Sequence, residues 1–168
     1  SNTRPLKDSV KESIFNILDH SNLLKTEIKN SNILDLYSGI GSFGIECISR
    51  SAKKVTFVEH NINSAKILKE NLIKLSILDK SKVYNGTAET FLSKKTNEKF
   101  NIFFLDSPFA DNQFLNNLEL IRSYSIYSKN HVVIIHREIK SNDKLSSILE
   151  IAQTKNYGRS KILFGFFK

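Results

Sequence analysis

The stretch Asp35-Leu36-Tyr37-Ser38-Gly39-Ile40-Gly41-Ser42-Phe43-Gly44 joins an apolar, strand-like run to a helix-like run. Its glycines satisfy the spacing G-x-G-x-x-G, which is typical of a turn whose backbone N–H groups approach a ligand at a helix N-terminus. By itself this spacing is compatible with a nicotinamide cofactor as well as with other adenosine-containing ligands. It therefore predicts a ligand site at the carboxyl end of a first strand.

Strand-like and helix-like runs alternate on both sides of this turn. The predicted strands cover residues 33–36, 55–59, 82–84, 100–105 and 131–136. The predicted helices cover residues 9–19, 43–50, about 63–75, 88–94, 113–122 and 144–149. We expect a capping box from Ser9 to Glu12 to open the first helix. The third helix is expected to begin at Asn63 or Ser64, with an apolar stripe formed by Ala65, Leu68, Leu72 and Leu75.

The last two extended runs, residues 150–156 and 161–167, are separated only by Tyr157-Gly158-Arg159-Ser160. With no helix between them, they should pair antiparallel. The predicted fold class is therefore α/β: a doubly wound, mostly parallel seven-stranded sheet with one antiparallel edge strand. At 168 residues the chain fits one domain, with residues 1–31 as an N-terminal helical extension.

Composition narrows the functional classes. No apolar run approaches the roughly 20 residues that span a bilayer, so we expect a soluble, cytoplasmic protein. The single cysteine, Cys47, is expected to be a buried, inert thiol, and no metal is expected. The net charge of +8 favours polyanionic partners, although scattered lysines and arginines, Arg137 among them, are also compatible with genome-wide nucleotide bias.

Acidic residues close the predicted strands, where ligands bind in doubly wound sheets. Glu59 can accept hydrogen bonds from ribose hydroxyls. Asp35 would repel a diphosphate and suits a ligand with an ammonium group. Either kind of cofactor would use Glu59, so it is Asp35 that favours a methyl donor over a dinucleotide.

A second motif, Asp106-Ser107-Pro108-Phe109, follows the predicted strand 100–105. A conjugated amine is a poor nucleophile, and acceptors at Asp106 and at the Ser107 carbonyl could orient its lone pair toward a methyl group. Pro108 would stiffen the turn, and Phe109 could stack on an unstacked base. The alternative is that Asp106 caps a helix and Phe109 is a core ring.

Both motifs resemble the RsmD-type ribosomal RNA (guanine-N2-)methyltransferases, a family with the Rossmann-like class I methyltransferase fold. The resemblance also rests on Thr3-Arg4-Pro5, Phe15-Asn16-Ile17-Leu18, Ser49-Arg50 and Tyr157-Gly158, and it extends along nearly the whole chain. It implies S-adenosylmethionine as the donor and a guanine of 16S ribosomal RNA, free or in a small-subunit assembly particle, as the acceptor. We expect a monomer that needs neither a metal nor a membrane.

The resemblance also assigns roles to residues. The methionine part of the donor would be held by Asp35, Tyr37, Ser38, Gly39, Gly41 and Phe43. The ribose and adenine would be held by Glu59, His60, Thr87 and Ala88. The base would meet the catalytic set Asp106, Ser107, Pro108 and Phe109, and the RNA would contact Arg4, Lys7 and Lys11.

The chain departs from the family at three places. Ser107 stands where the family usually has the first of two prolines, which keeps the carbonyl but loosens the turn. Thr87 stands in Gly86-Thr87-Ala88-Glu89 where the family often has an acid, so its bond to the adenine amine should be weak. The basic β-hairpin that usually precedes the Thr-Arg-Pro block is expected to be missing.

Three other functions remain open. A nicotinamide oxidoreductase would use the glycines and Glu59. A methyltransferase for another amine, either adenine in DNA or RNA or a protein glutamine, would share the Asp-x-Pro-aromatic motif. A non-catalytic RNA-binding or ribosome-assembly module would account for Ser107 and the basic balance.

Overall fold

The computed structural model describes residues 6–168. Its strands are β1 (Asn32–Asp35), β2 (Lys54–Glu59), β3 (Ser81–Asn85), β4 (Phe100–Leu105), β5 (Tyr127–Glu138), β6 (Leu149–Tyr157) and β7 (Ser160–Phe167). Its α-helices are α1 (Asp8–His20), α2 (Ser42–Ser49), α3 (Ile62–Lys74), α4 (Ala88–Leu92) and α5 (Gln113–Tyr124), and a 3₁₀ turn covers Leu78–Lys80. Within these residues, none of the helices has the length and apolar character needed to cross a membrane.

The strands form one seven-stranded sheet in the order β3-β2-β1-β4-β5-β7-β6. The five strands from β3 to β5 pair in parallel, and β7 pairs antiparallel with both β5 and β6. This confirms the predicted fold class and the terminal hairpin, with β7 as the reversed strand and β6 outside it. The strand order reverses between β1 and β4, which is where such sheets bind their ligands.

The sheet is covered by helices on both faces, so the central strands carry continuous apolar runs. One core cluster joins α1, α2 and α3 to one face, and a second joins α4 and α5 to the other. Cys47 of α2 is fully buried in the first cluster, and burial raises the pKa of its thiol well above the ordinary value. The prediction that Cys47 is buried is confirmed, and the raised pKa is in keeping with an unreactive thiol.

Three local predictions are wrong. No helix forms over residues 144–149, because Leu145 and Ile148 instead anchor a loop and turn in the second core cluster, and Leu149 begins β6. The expected capping box is absent, since α1 already includes Ser9 and its N-cap residue, Lys7, makes no side-chain cap.

The third wrong prediction concerns α3. This helix is capped by Asn61, whose side chain accepts a hydrogen bond from the Ser64 N–H at 2.9 Å. The helix ends before Leu75, which is 54% exposed and does not belong to the buried stripe.

Candidate active site

Two cavities open at the carboxyl ends of the central strands. The β1 cavity, about 320 Å³, is lined by the end of β1, the glycine turn and the start of α2. The hairpin cavity, about 860 Å³, lies between the segment after β4, the start of α1 and the β6–β7 turn. Asp106 lines both cavities. The two motifs are therefore brought together at one side chain.

The glycine turn is tied to the end of β2. Gly39 has φ +55°, a conformation that favours glycine. Its N–H donates to Glu59 Oε1 at 2.8 Å, while Glu59 Oε2 accepts from the Asn61 N–H at 2.8 Å. The Gly39 N–H is thus already committed to a carboxylate and is not free for a phosphate oxygen.

The β1 cavity is acidic. Asp8, Asp35 and Asp106 all line it, and Asp35 is only 1% exposed. Neither carboxylate oxygen of Asp35 has a hydrogen-bond partner of ordinary geometry among residues 6–168. Burial raises the pKa of Asp35 well above its usual value of 3.8, and the Asp106 charge raises it further, against a smaller opposing effect of the Gly44 N–H. Such a site favours a cationic ligand.

Tyr37 is held by Asn117, which no sequence motif predicts as a site residue. Asn117 of α5 is fully buried and donates through Nδ2 to the Tyr37 hydroxyl at 2.6 Å and to Glu89 Oε1 at 3.2 Å. Burial raises the pKa of Tyr37 far above its ordinary range. The signal was a polar residue within the apolar stripe of α5, between Phe114 and Leu118.

The other predicted donor residues lie close to the same edge of the sheet. Ser38 and Phe43 line the β1 cavity, and the Phe43 ring stacks on Phe104 with 4.1 Å between centroids. Gly41 is the N-cap residue of α2.

Four predicted residues lie at the ends of β2 and β3, outside the lining of either cavity. Glu59 is buried behind Gly39, and the His60 side chain is 66% exposed, with Nδ1 3.6 Å from Glu59 Oε2. Thr87 uses its hydroxyl to cap α4, accepting from the Thr90 N–H at 3.1 Å, and Ala88 is buried behind it.

Asp106 is paired with His136, which the sequence pattern predicts only as the end of a strand. Leu105 and Ile135 are partners in the β4–β5 register, so the next residues, Asp106 and His136, lie side by side. His136 Nδ1 is 2.8 Å from Asp106 Oδ1. The rule that polar residues at carboxyl strand ends meet at one edge would have selected His136.

The Asp106 segment does not serve as a helix cap. Asn112 is the N-cap residue of α5, and it is Asp111 that accepts a hydrogen bond from the Gln113 N–H, at 2.7 Å. Phe109 is half-buried in the lining of the hairpin cavity, and its ring meets the edge of His136 at 5.5 Å. The alternative that assigned Asp106 to capping and Phe109 to the core is therefore wrong.

The two middle residues of the segment, Ser107 and Pro108, differ in exposure. Ser107 is 3% exposed, and its hydroxyl has no hydrogen-bond partner within residues 6–168. Pro108 is exposed, and its carbonyl accepts from the Asp111 N–H at 2.9 Å. Both residues line the hairpin cavity.

The predicted RNA-binding residues separate in space. Lys7 lines the hairpin cavity, as does Arg159 of the β6–β7 turn. Lys11 instead donates to Ser42 Oγ at 3.3 Å, beside the β1 cavity. Arg4 lies outside the described residues.

Two further observations concern charge and metals. Arg137 is 2% exposed, so its charge is not presented to a polyanion at the surface. Among residues 6–168, histidine, cysteine, aspartate and glutamate side chains form no group of three that could hold a metal ion.

The chain resembles solved structures along most of its length. A conserved hypothetical protein of Streptococcus pyogenes superposes with a TM-score of 0.82 at 24% identity, covering 95% of this chain and 96% of that one. An RNA methyltransferase from Salinibacter ruber, in complex with S-adenosyl-L-homocysteine, superposes with a TM-score of 0.68 at 14% identity, covering 96% and 92%. At these identities the likeness shows the fold.

Sequence relatives are more specific. The chain is 35% identical over 137 residues to ribosomal RNA small subunit methyltransferase D of Haemophilus influenzae, covering 80% of this chain and 68% of that protein. It is 32% identical over 137 residues to the protein of the same name from Buchnera aphidicola, covering 82% of this chain and 66% of that protein. The match thus spans about two thirds of each relative's length. The model of the family described as Conserved hypothetical protein 95 matches residues 1–166, and the chain therefore belongs to this family, the RsmD family.

Proposed function

We propose that this protein transfers a methyl group from S-adenosylmethionine to the exocyclic N2 amine of a guanine in 16S ribosomal RNA. The observation that carries the proposal is the position of Asp106, which lines both cavities. A donor in one cavity and a base in the other would meet at this carboxylate. The relatives named as small-subunit ribosomal RNA methyltransferases support this choice of acceptor.

The β1 cavity is suited to the donor. S-adenosylmethionine, when bound, supplies an electrophilic methyl group on a positively charged sulfur. Asp35 would pair with its ammonium group, and the turn from Tyr37 to Gly41, together with Phe43, would enclose its methionine part. Glu59 and His60 would take the ribose and adenine side, with Thr87 and Ala88 beyond them. The bound S-adenosyl-L-homocysteine of the Salinibacter ruber neighbour is in keeping with this assignment.

The hairpin cavity is suited to the base. His136 occupies Asp106 Oδ1, which leaves Oδ2 to accept one N–H of the amine. The Ser107 carbonyl would accept the other N–H, so that the nitrogen lone pair points toward the donor. Phe109 would stack on the base, which must leave its helix to enter. In this mechanism the rate comes from orientation more than from a shifted pKa.

A nicotinamide oxidoreductase is disfavoured by the same geometry. A diphosphate in the β1 cavity would face Asp8, Asp35 and Asp106, and the Gly39 N–H would not be available to it. The partner we propose is 16S ribosomal RNA, free or in a small-subunit assembly particle. We therefore place the activity in the cytoplasm.

The direct test is to incubate the protein with labelled S-adenosylmethionine and small subunits that lack the modification, and then to map the methylated nucleoside. N2-methylguanosine is expected. Asp106→Ala should abolish transfer while leaving S-adenosylhomocysteine affinity nearly intact, because the lost interaction acts mainly in the transition state. Asp111→Ala, in the same segment, is the matched control. If the product is methylated adenine or methylated glutamine, the acceptor proposed here is wrong. If the protein binds the small subunit but forms no methylated product, a non-catalytic assembly module is favoured.

A further inference from the structure

We propose that Arg137 is a positioning residue that clamps the Asp106-Ser107-Pro108-Phe109 segment in its working conformation. The inference rests on the proposed function, because that segment is where the acceptor base is expected. Nothing in the sequence marked Arg137, which stands among many basic residues. Its role follows from where its guanidinium lies.

The guanidinium of Arg137 is buried and directed at the backbone of the segment. Its Nη1 donates to the Pro108 carbonyl at 3.3 Å, and its Nη2 donates to the Phe109 carbonyl at 3.0 Å. Holding two successive carbonyls fixes the peptide planes that follow Ser107. Because the Phe109 ring and the Ser107 carbonyl belong to this piece of backbone, their positions depend on the same clamp.

Arg137 is itself held rigidly. Its Nε donates to Asp143 Oδ2 at 2.9 Å and its Nη2 to Asp143 Oδ1 at 3.3 Å. The guanidinium also stacks over the Phe114 ring, 4.3 Å from its centroid. A bidentate, stacked arginine has a geometry that lysine cannot reproduce. The clamp therefore connects the segment after β4 to the loop after β5 and to α5.

The clamp acts on a segment that contains one proline, Pro108. Ser107 has no ring to fix its φ angle, so the backbone before Pro108 lacks the constraint that a second pyrrolidine ring would impose. The hydrogen bonds from the guanidinium to the Pro108 and Phe109 carbonyls restrain the residues that follow Ser107. Because Arg137 and residue 107 constrain the same turn, substitutions at the two positions should show coupled effects.

The test needs variants that fold. Arg137→Met alone would leave the Asp143 carboxylate buried without its partner, whereas Arg137→Met combined with Asp143→Leu removes the ion pair as a unit. The matched control is Arg50→Met, because Arg50 also pairs with acids, Asp19 and Glu46, and stacks over a ring, Phe15, but holds no part of the segment.

In the Arg137→Met/Asp143→Leu variant, we expect amide hydrogen exchange over residues 107–112 to accelerate by about tenfold or more. The value of kcat should fall by about tenfold to a hundredfold, while S-adenosylhomocysteine affinity and melting temperature stay near those of the parent. Adding Ser107→Pro should restore about a third or more of the lost kcat, which a merely structural role of Arg137 would not allow. Arg50→Met should change none of these values.

Unchanged exchange over residues 107–112 in the Arg137→Met/Asp143→Leu variant would overturn the clamp. So would a kcat within about twofold of the parent, since a misplaced reacting group costs far more. The exchange measurement needs no activity. If the parent itself methylates no RNA, the proposed function fails, and exchange still decides whether Arg137 holds the segment.

Discussion

His136 Nδ1 lies 2.8 Å from Asp106 Oδ1, where the chain leaves β4 beside the last residues of β5. Both side chains are largely buried, with 10% and 18% of their surface exposed. A carboxylate with one oxygen held in this way presents the other in a defined direction. His136 therefore bears on how Asp106 can orient an amine.

Replacing His136 by phenylalanine keeps a ring beside Phe109 but removes the N–H that holds Asp106. We expect kcat to fall by about tenfold to a hundredfold, with unchanged S-adenosylhomocysteine affinity, because a loosened Asp106 orients the amine poorly. Steady-state kinetics and calorimetry measure the two quantities. His131→Phe, on the same strand, is the control: it loses bonds to Ser128 and Phe167 and should lower the melting temperature without lowering kcat. Equal effects of both substitutions on kcat would refute the role of His136.

Asp35→Asn should stabilise the free protein and abolish donor binding. The folded-state pKa of Asp35 is raised above 3.8, so the folded protein retains a proton that the unfolded chain has released, and stability falls as pH rises between the two values. Because asparagine does not titrate, the Asp35→Asn variant does not lose stability in this way as the pH rises. Its melting temperature should match the parent near pH 4 and exceed it by about 2–4 °C per kcal/mol gained at neutral pH.

The control for this experiment is Asp79→Asn, at an exposed aspartate. Differential scanning fluorimetry across the pH range gives the stabilities, and calorimetry with S-adenosylmethionine gives the affinity. A variant that binds the donor as tightly as the parent would show that Asp35 does not pair with its ammonium group.

Gly39→Val should block the β1 cavity. Gly39 lines this cavity, and a β carbon there would meet no atom within 4 Å, so the new side chain would occupy open space beside the ligand; φ +55° is also strained for a β-branched residue. We expect S-adenosylhomocysteine affinity to fall by about a hundredfold or more. The backbone strain, roughly 1–3 kcal/mol, should lower the stability of the fold and is a separate effect. Gly158→Val is matched in strain, with φ +53° and the same open surroundings, and it should leave that affinity unchanged. Equal losses of affinity in both variants would assign the effect to strain.

Lys7, just before α1, and Arg159, in the β6–β7 turn, both line the hairpin cavity. If they contact phosphates beside the target base, Lys7→Gln and Arg159→Gln should each weaken binding to RNA of any sequence and reduce the slope of log affinity against log salt by about one. Fluorescence anisotropy over a series of salt concentrations measures this slope. Lys82→Gln, on β3 at the far edge of the sheet, is the control. A salt slope that none of the three substitutions changes would favour nucleotide bias as the origin of the charge.

Local sequence patterns were enough to predict most of the architecture. Alternating apolar runs, the glycine turn between β1 and α2, and the uninterrupted hairpin of β6 and β7 each depend on neighbouring residues, so they are readable along the chain. The failures lie where long-range packing decides. The apolar residues near 145–149 suit a helix, but they are pulled as a loop into the core beside α5. Asn61 caps α3 in place of Asn63 because β2 ends at Glu59, as predicted, but the helix already begins at Ile62.

The candidate site divides in the same way. The sequence alone determined that Asp35, Glu59 and Asp106 lie at or directly after strand ends. Because the carboxyl ends of parallel strands lie at the same edge of a sheet, it also determined that these three carboxylates share that edge. Only the tertiary structure decided their partners: Gly39 with Glu59, Asn117 with Tyr37, His136 with Asp106, and Arg137 with the carbonyls after Ser107. These partners are 20 to 80 residues apart in the chain. The register of the sheet and the burial of particular polar atoms select them, and neither leaves a periodic signal in the sequence.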